Sequence, residues 1–341
     1  MTAILDRTNI AGADVPAGWT AASLGGPGPL KRLLTAEEIA AVHRCVRLVE
    51  GRRPEELNRA DFDDPALAAL MADVHDRVQH GPGAVILSGL DRVALGEADF
   101  TRAVAGLAAH VGTLAPQSPK RDRIGYVRKE ADNPDARGYQ SDIELQPHTD
   151  FHEIVALASV SRAAEGGLSG LVSLAAIYDI LAREDPEALA LLEQGYPHDT
   201  TGDGLLSDGP MPVLNRTGDV ITGYAMGVFM YTAAATLGEE VPPALTAAMK
   251  KFSAIARRPD VIVEFMLEPG EIMFWHNFRV LHSRTNFRDD ESHRRLILRL
   301  WINPEEHLPM PPVYLSQRER FDALHAAGKP AIVYTKTGIK V

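Results

Sequence analysis

The chain carries a single cysteine, Cys45, among 341 residues. One thiol excludes an intrachain disulfide framework and any cysteine-rich zinc site, and it points to a reducing compartment. No apolar run approaches the ~18 residues needed to span a bilayer. The opening MTAILDRTNIAGADVPAGW lacks a basic stretch followed by an apolar core, so it does not read as a secretory signal. Cations are also short: 35 Lys and Arg against 46 Asp and Glu leave a formal charge of -11. An acidic chain repels nucleic acid and anionic lipid. A cytoplasmic protein acting on a small molecule is therefore expected, with no nucleic-acid or membrane partner and with homo-oligomerisation left open. A local basic pocket for a small anion is compatible with that charge. What the chain does have is apolar mass, 45% hydrophobic, ample for a sizeable core.

The first third reads as helical. TAEEIAAVHRCVRLVEG opens on a cap candidate, Thr35, and stops at Gly51; DDPALAALMADVHDRVQHGPG and EADFTRAVAGLAAHVG follow, with the short apolar strand AVILSGL between them. From about Arg123 short strands take over: RIGYVRK, EIVALASVS, LSGLVSL, and later RLILRLWIN. LAAIYDILARE, PEALALLEQG and PPALTAAMKKFSAIARR are helical insertions. PVLNRTGDVITGYA reads as a hairpin across Thr217-Gly218-Asp219, and two strands meet at the tight turn Glu268-Pro269-Gly270. Helices first, then many short strands, predict an α+β protein with a mainly β core, a sandwich or barrel dressed with helices. One domain over residues 1–341 is expected: helix-rich to about 110, a β core with a helical insert over about 111–315, and a C-terminal extension from 316.

QPHTDFHEI places His148 and Asp150 two apart, with His152 beyond. In extended chain, residues two apart share a face, so an imidazole and a carboxylate would point one way and Thr149 the other. With 12 histidines, about one such pair arises by chance from ordinary composition; the pair alone is weak. His148 and His152 suit a zinc protease only on a helix, and Pro147 favours extended backbone. That motif also wants Glu after its first His, where Thr149 stands. His152 is expected to be structural. A third ligand must come from another strand, and FWHNFRVLHSRTNF offers His276 and His282. His276, inside a strand, reads as a buried core histidine. Two histidines and a carboxylate form the facial triad of non-haem iron oxygenases.

HRRLILRLWIN supplies a second signal. Read as a strand, it sets Arg295, Ile297, Arg299 and Trp301 on one face and Leu296, Leu298, Leu300 and Ile302 on the other. The aliphatic face must pack on a core, which buries the arginines opposite it. Buried arginines need anionic partners, and a carboxylate suits the guanidinium fork. The partners are protein acids or a bound anion. Arg294 is expected at the strand's exposed start.

Taken in order, His-Thr-Asp, GGLSGLVSLAAIYDIL, LEPGEIMFWHNFRVLHSRTNF and RRLILRLW resemble the TauD/TfdA group of Fe(II)/2-oxoglutarate-dependent dioxygenases over roughly Gly112 to Pro312. The resemblance implies a double-stranded β-helix (jelly roll), with iron held by His148, Asp150 and His282. It implies that 2-oxoglutarate chelates iron through its keto-acid end, with Arg295 on the distal carboxylate. Ser169 stands where the family has a co-substrate-contacting Thr. Arg299 matches an arginine that serves either co-substrate or substrate. The implied reaction consumes O2, releases succinate and CO2 and hydroxylates a small polar or acidic metabolite such as an amino acid or carboxylate; desaturation or oxidative cyclisation uses the same cofactors. IGYVRKEADNPDARGYQSDIELQPHTD is expected to be a lid, with Tyr126, Arg128, Tyr139 and Gln140 as candidate substrate contacts. Two rivals from other classes are a zinc-dependent hydrolase and a non-catalytic jelly-roll binding protein.

Overall fold

The structure is a computed structural model describing residues 15–118, 120–130, 138–200, 202, 204–329, 333–335 and 338–340. Residues 131–137 of the expected lid lie outside it, as does the N-terminus to residue 14.

Two β-sheets face each other. The larger runs in the order Lys31–Leu33, Ala84–Ser88, Ile272–His276, Ile154–Ser161, Leu296–Asn303, Thr113–Leu114, with Ile124–Val127 also pairing Leu296–Asn303. The smaller runs Val263–Phe265, Ser169–Ser173, Val280–Arg284, Leu145–His148. All pairings are antiparallel except the first of the large sheet. Alternation along each strand divides the core into layers. Leu298, Leu300, Ile302, Phe274 and Ala156 point outward into a cluster shared with Val42, Leu70, Val74 and Val104 of the N-terminal helices Ala36–Leu48, Pro65–Gln79 and Arg92–Ala108. Trp301, Trp275, Val155 and Leu171 point inward between the sheets. Val172 and Leu281 back the small sheet against Leu174–Glu184, Pro186–Gln194 and Pro243–Ala256. The fold is thus the jelly roll with N-terminal and inserted helices.

Local chemistry sets the element ends. Thr35 caps its helix in a reciprocal box with Glu38. The hairpin pairs Thr217 with Val220 around Gly218, which takes the left-handed φ of 62°. The Glu268–Gly270 turn leads from a strand of the small sheet to one of the large sheet. Two helices escaped the sequence reading. Val228–Leu237 is apolar all round and gives little periodicity. Pro312–Ala326 runs through residue 316, so the segment taken for an extension begins inside a helix packed on the core through Tyr314 and Phe321. No helix among the described residues is long and apolar enough to cross a membrane.

Candidate metal centre and active-site cavity

The small sheet brings two histidines together. His282 pairs directly with His148 across neighbouring strands, and a register shift follows before Arg284. Their ring centroids are 4.2 Å apart. Asp150 sits just past the end of the Leu145–His148 strand, and ligand atoms of His148, Asp150 and His282 all lie within 4.8 Å of one another. Thr149 turns away, and its Oγ1 accepts from the Ala225 N–H at 3.0 Å.

His148 and Asp150 are held by hydrogen bonds to neighbours, and the His282 ring lies against those of His148 and Trp275. The His148 Nδ1–H donates to the Gln146 carbonyl at 2.7 Å. That fixes the tautomer and leaves the Nε2 lone pair free for a metal. Burial and the nearby His148 push His282 down to about 3, so its ring is neutral at pH 7 and retains a ligand lone pair. Burial alone would raise the Asp150 pKa; Arg299, His282, His148 and the Trp301 N–H outweigh it and hold the carboxyl at about 2. Arg299 (Nη1 to Oδ2, 3.5 Å) is the largest of these, and Trp301 donates its Nε1–H to Oδ2 at 2.8 Å. Asn277 clamps the loop: its Oδ1 accepts from the Asp150 N–H at 2.8 Å, and its Nδ2 donates to the carbonyls of Asp150 and His152 at 2.8 and 2.9 Å.

His152 lies outside the group. It is fully buried, stacks on Trp301 (4.8 Å, 18°), and its Nε2 meets Asp322 of the C-terminal helix at 3.0 Å. His276 is buried too, and desolvation keeps it neutral; its Nδ1 accepts from the Phe278 N–H.

The donor set faces a cavity of about 560 Å³. Its walls include Val127, Phe151, Met226, Val228 and Phe321, and its polar lining includes Ser169, Arg284, Arg295 and Arg299. Of the face expected to carry Arg295, Ile297, Arg299 and Trp301, the two arginines and Trp301 line the cavity and Ile297 does not, and Arg294 is exposed. The two buried arginines differ. Arg299 is engaged: its Nε donates to Gln117 Oε1 at 2.8 Å, Gln117 Nε2 donates to the Arg299 carbonyl at 2.6 Å, and its guanidinium lies over Trp301 and Tyr139 at 4.4 and 4.8 Å. Arg295 is 5% exposed, has no carboxylate within ion-pair distance among the described residues, and its Nη1 has no hydrogen-bond partner. Burial, then the nearby Arg284, push it down to about 9, so it stays charged at neutral pH. The Gly166-Gly167 turn passes close over it. Gly167 takes φ +75°, and a Cβ there would stand 3.2 Å from Arg295 Nε.

Of the candidate substrate contacts, Tyr139 lines the cavity. Tyr126 and Arg128 are exposed, and Gln140 is half-buried away from the lining. Strand pairing explains the first two. Tyr126 lies opposite Leu298 on the aliphatic side, and Val127, opposite Ile297, takes the inward place. The sequence reading missed Gln117, Asn277, Arg284 and Phe321.

A family model, "Taurine catabolism dioxygenase TauD, TfdA family", matches residues 48–301. The chain belongs to the TauD/TfdA family. FR-33289 synthase of Streptomyces rubellomurinus is 30% identical over 87% of this chain and 90% of its own length. Among solved structures, an asparagine oxygenase in complex with Fe(II), 2S,3S-3-hydroxyasparagine and succinate superposes with a TM-score of 0.66 (16% identity; 80% of this chain, 93% of that one). The non-heme iron oxygenase OrfP, in complex with Fe and alpha-ketoglutaric acid, does so at 0.56 (14% identity; 80% and 93%). This TauD/TfdA protein is a 2-oxoglutarate-dependent dioxygenase that uses iron. Membership sets aside the zinc hydrolase and the silent binding protein.

Proposed function

We propose that His148, Asp150 and His282 hold the iron, that Arg295 and Ser169 hold the distal carboxylate of 2-oxoglutarate, and that the enzyme hydroxylates a small anionic or zwitterionic metabolite, an amino acid or carboxylate. The residues fit both groups. Two imidazoles and a carboxylate suit Fe(II), and a buried guanidinium with an unpartnered N–H suits a carboxylate. Bound there, iron and 2-oxoglutarate supply the O2-dependent oxidation of a C–H bond, with release of succinate and CO2. The chain supplies position. Trp301 and Arg299 fix the Asp150 carboxylate, Gln146 orients His148, and Asn277 holds the backbone between them.

The observation that carries the substrate class is the charge of the cavity. Arg284, Arg295 and Arg299 line it, against the carboxylates Asp150 and Glu144. Arg295, with Arg284 beside it, serves the carboxylate of the co-substrate, so Arg299, next to the metal group, is the cation that favours an acidic group on the substrate. Arg299, engaged with Asp150 and Gln117, serves the metal carboxylate and the substrate side rather than the distal end of the co-substrate. Val127, Phe151, Met226 and Phe321 suit a hydrocarbon portion. The asparagine oxygenase neighbour, which carries a hydroxylated amino acid, is compatible with this class.

The test is succinate release from iron-loaded enzyme and 2-oxoglutarate with a panel of amino acids, small carboxylates and acid-free amines. Coupled turnover is expected with acid-bearing compounds. Turnover coupled only by acid-free amines would overturn the substrate class.

A further inference from the structure

Arg284 has so far counted only toward the charge of the cavity, and its surroundings are unusual. It is 4% exposed and makes no ion pair with a carboxylate among the described residues. Its Nη2 donates to the carbonyls of Ser141 (2.8 Å) and Ile143, while Nε and Nη1 have no hydrogen-bond partner among the described residues. A buried guanidinium with two unmatched donors costs stability unless something accepts from them.

The register shows which face Arg284 occupies. Arg284 is the direct cross-strand partner of Ser169, so the two side chains share one face. Arg284 and Arg295 also share an aromatic platform: their Cζ atoms lie 4.8 and 5.3 Å from the Phe287 ring centroid. Two buried like charges on one ring, both lining the cavity and both with spare N–H groups, call for an anion between them. The same corner is tied to the chain before the metal strand at a third point, where the Phe287 N–H donates to the Asp142 carbonyl at 3.1 Å. That segment ends at Leu145, which pairs with Arg284, and it carries Tyr139, whose ring covers Arg299.

We propose that Arg284 is a second co-substrate residue: its Nη1 takes the distal carboxylate together with Arg295, while its Nη2 holds Ser141 and Ile143, so that co-substrate binding fixes the Tyr139–Leu145 segment against the substrate end of the cavity. This rests on the reading of the cavity as an iron and 2-oxoglutarate site. The linkage is reciprocal: the carboxylate fixes the guanidinium, and the guanidinium fixes the two carbonyls. The co-substrate thereby builds the wall that the substrate meets.

The experiment compares two keto acids on anaerobic Fe(II)-loaded enzyme: 2-oxoglutarate, and 2-oxobutyrate, which has the keto-acid end and lacks the distal carboxylate. Saturation by each is read from the visible metal-to-ligand band, and amide hydrogen exchange is followed in peptides covering 139–145. In the wild type both acids should give the band, and 2-oxoglutarate alone should slow exchange, by about 10-fold. In Arg284→Gln, 2-oxobutyrate affinity should be unchanged, showing an intact metal end. Its 2-oxoglutarate affinity should fall by about 10- to 100-fold, as for loss of a charged hydrogen bond, and the protection should disappear. Equal protection of the wild type by both acids overturns the proposal, even if the variant fails to fold. So does unchanged 2-oxoglutarate affinity in a folded variant. A wild type that gives no band with either acid overturns the metal reading itself and the inference with it, an outcome distinct from the other two.

Discussion

The two ends of the cavity are built on opposite principles. At the metal end most polar groups already have a protein partner: Asp150 has Trp301 and Arg299, His148 has the Gln146 carbonyl, and Arg299 has Gln117, while the His282 Nδ1 has none among the described residues. At the far end Arg284 and Arg295 keep buried N–H groups without acceptors. A ligand set that must present a fixed geometry is held in place by neighbours beforehand. A carboxylate-binding end keeps its donors free, because a donor already matched within the protein has little to gain from a ligand. The contrast separates residues that position from residues that bind, and substitutions at the two ends should fail in different ways.

The largest effect is expected at the metal end. Asp150→Ala removes the carboxylate that Arg299 and Trp301 surround and leaves Arg299 without its anion; iron retained after anaerobic desalting should drop from about one per chain to none, with loss of turnover. Next comes the far end. Arg295→Gln should raise the 2-oxoglutarate Kd by about 100-fold while iron content stays at the wild-type level, a split measurable by titration of the loaded protein. Trp301→Phe keeps an aromatic ring at the site and deletes the indole N–H that Asp150 accepts. Iron affinity should weaken by about 10-fold, with 2-oxoglutarate affinity nearly unchanged once iron saturates. Should Arg295→Gln lose iron, or Trp301→Phe lose 2-oxoglutarate binding at saturating iron, the division between the two ends fails.

The smallest effect lies away from both ends. His198 is fully buried beside Tyr224 and Phe229, neither ring nitrogen has a partner among the described residues, and burial pushes it from 6.5 down to about 3. The folded state therefore keeps His198 neutral where the unfolded chain protonates it. Stability contributed by this group is constant above pH 6.5, falls as pH drops below 6.5, and levels off below about 3. His198→Phe should flatten part of the fall in Tm between pH 7 and 4, and an unchanged slope would remove His198 from the acid limb.

The parts of this site that the sequence exposed are those encoded by short-range periodicity. His148 and Asp150 share a parity, as do Arg295, Arg299 and Trp301, and an aliphatic opposite face shows which side is buried. Strand phase relative to a partner is not encoded locally. RIGYVRK alternates well enough, yet only its pairing with Leu296–Asn303 shows that Val127 turns inward and Tyr126 outward. Arg284 stands two residues after His282 and so carried the same parity signal. Its carbonyl partners lie in a distant segment, and nothing in LHSRTNF announces them. Phe321 is the furthest case. It stacks on Phe151 at 3.8 Å from a helix that reads locally as a polar tail, and Asp322 and Arg318 beside it reach His152 and Glu153.

The central claim is that His148, Asp150 and His282 form the iron site of a 2-oxoglutarate enzyme. Its most direct test is an anaerobic titration of metal-free protein with Fe(II) and then 2-oxoglutarate, watching for the visible metal-to-ligand charge-transfer band. The account predicts a band in the wild type that is absent in His282→Ala. No band in wild-type protein with iron loading confirmed, or a band that persists in His282→Ala, would contradict it.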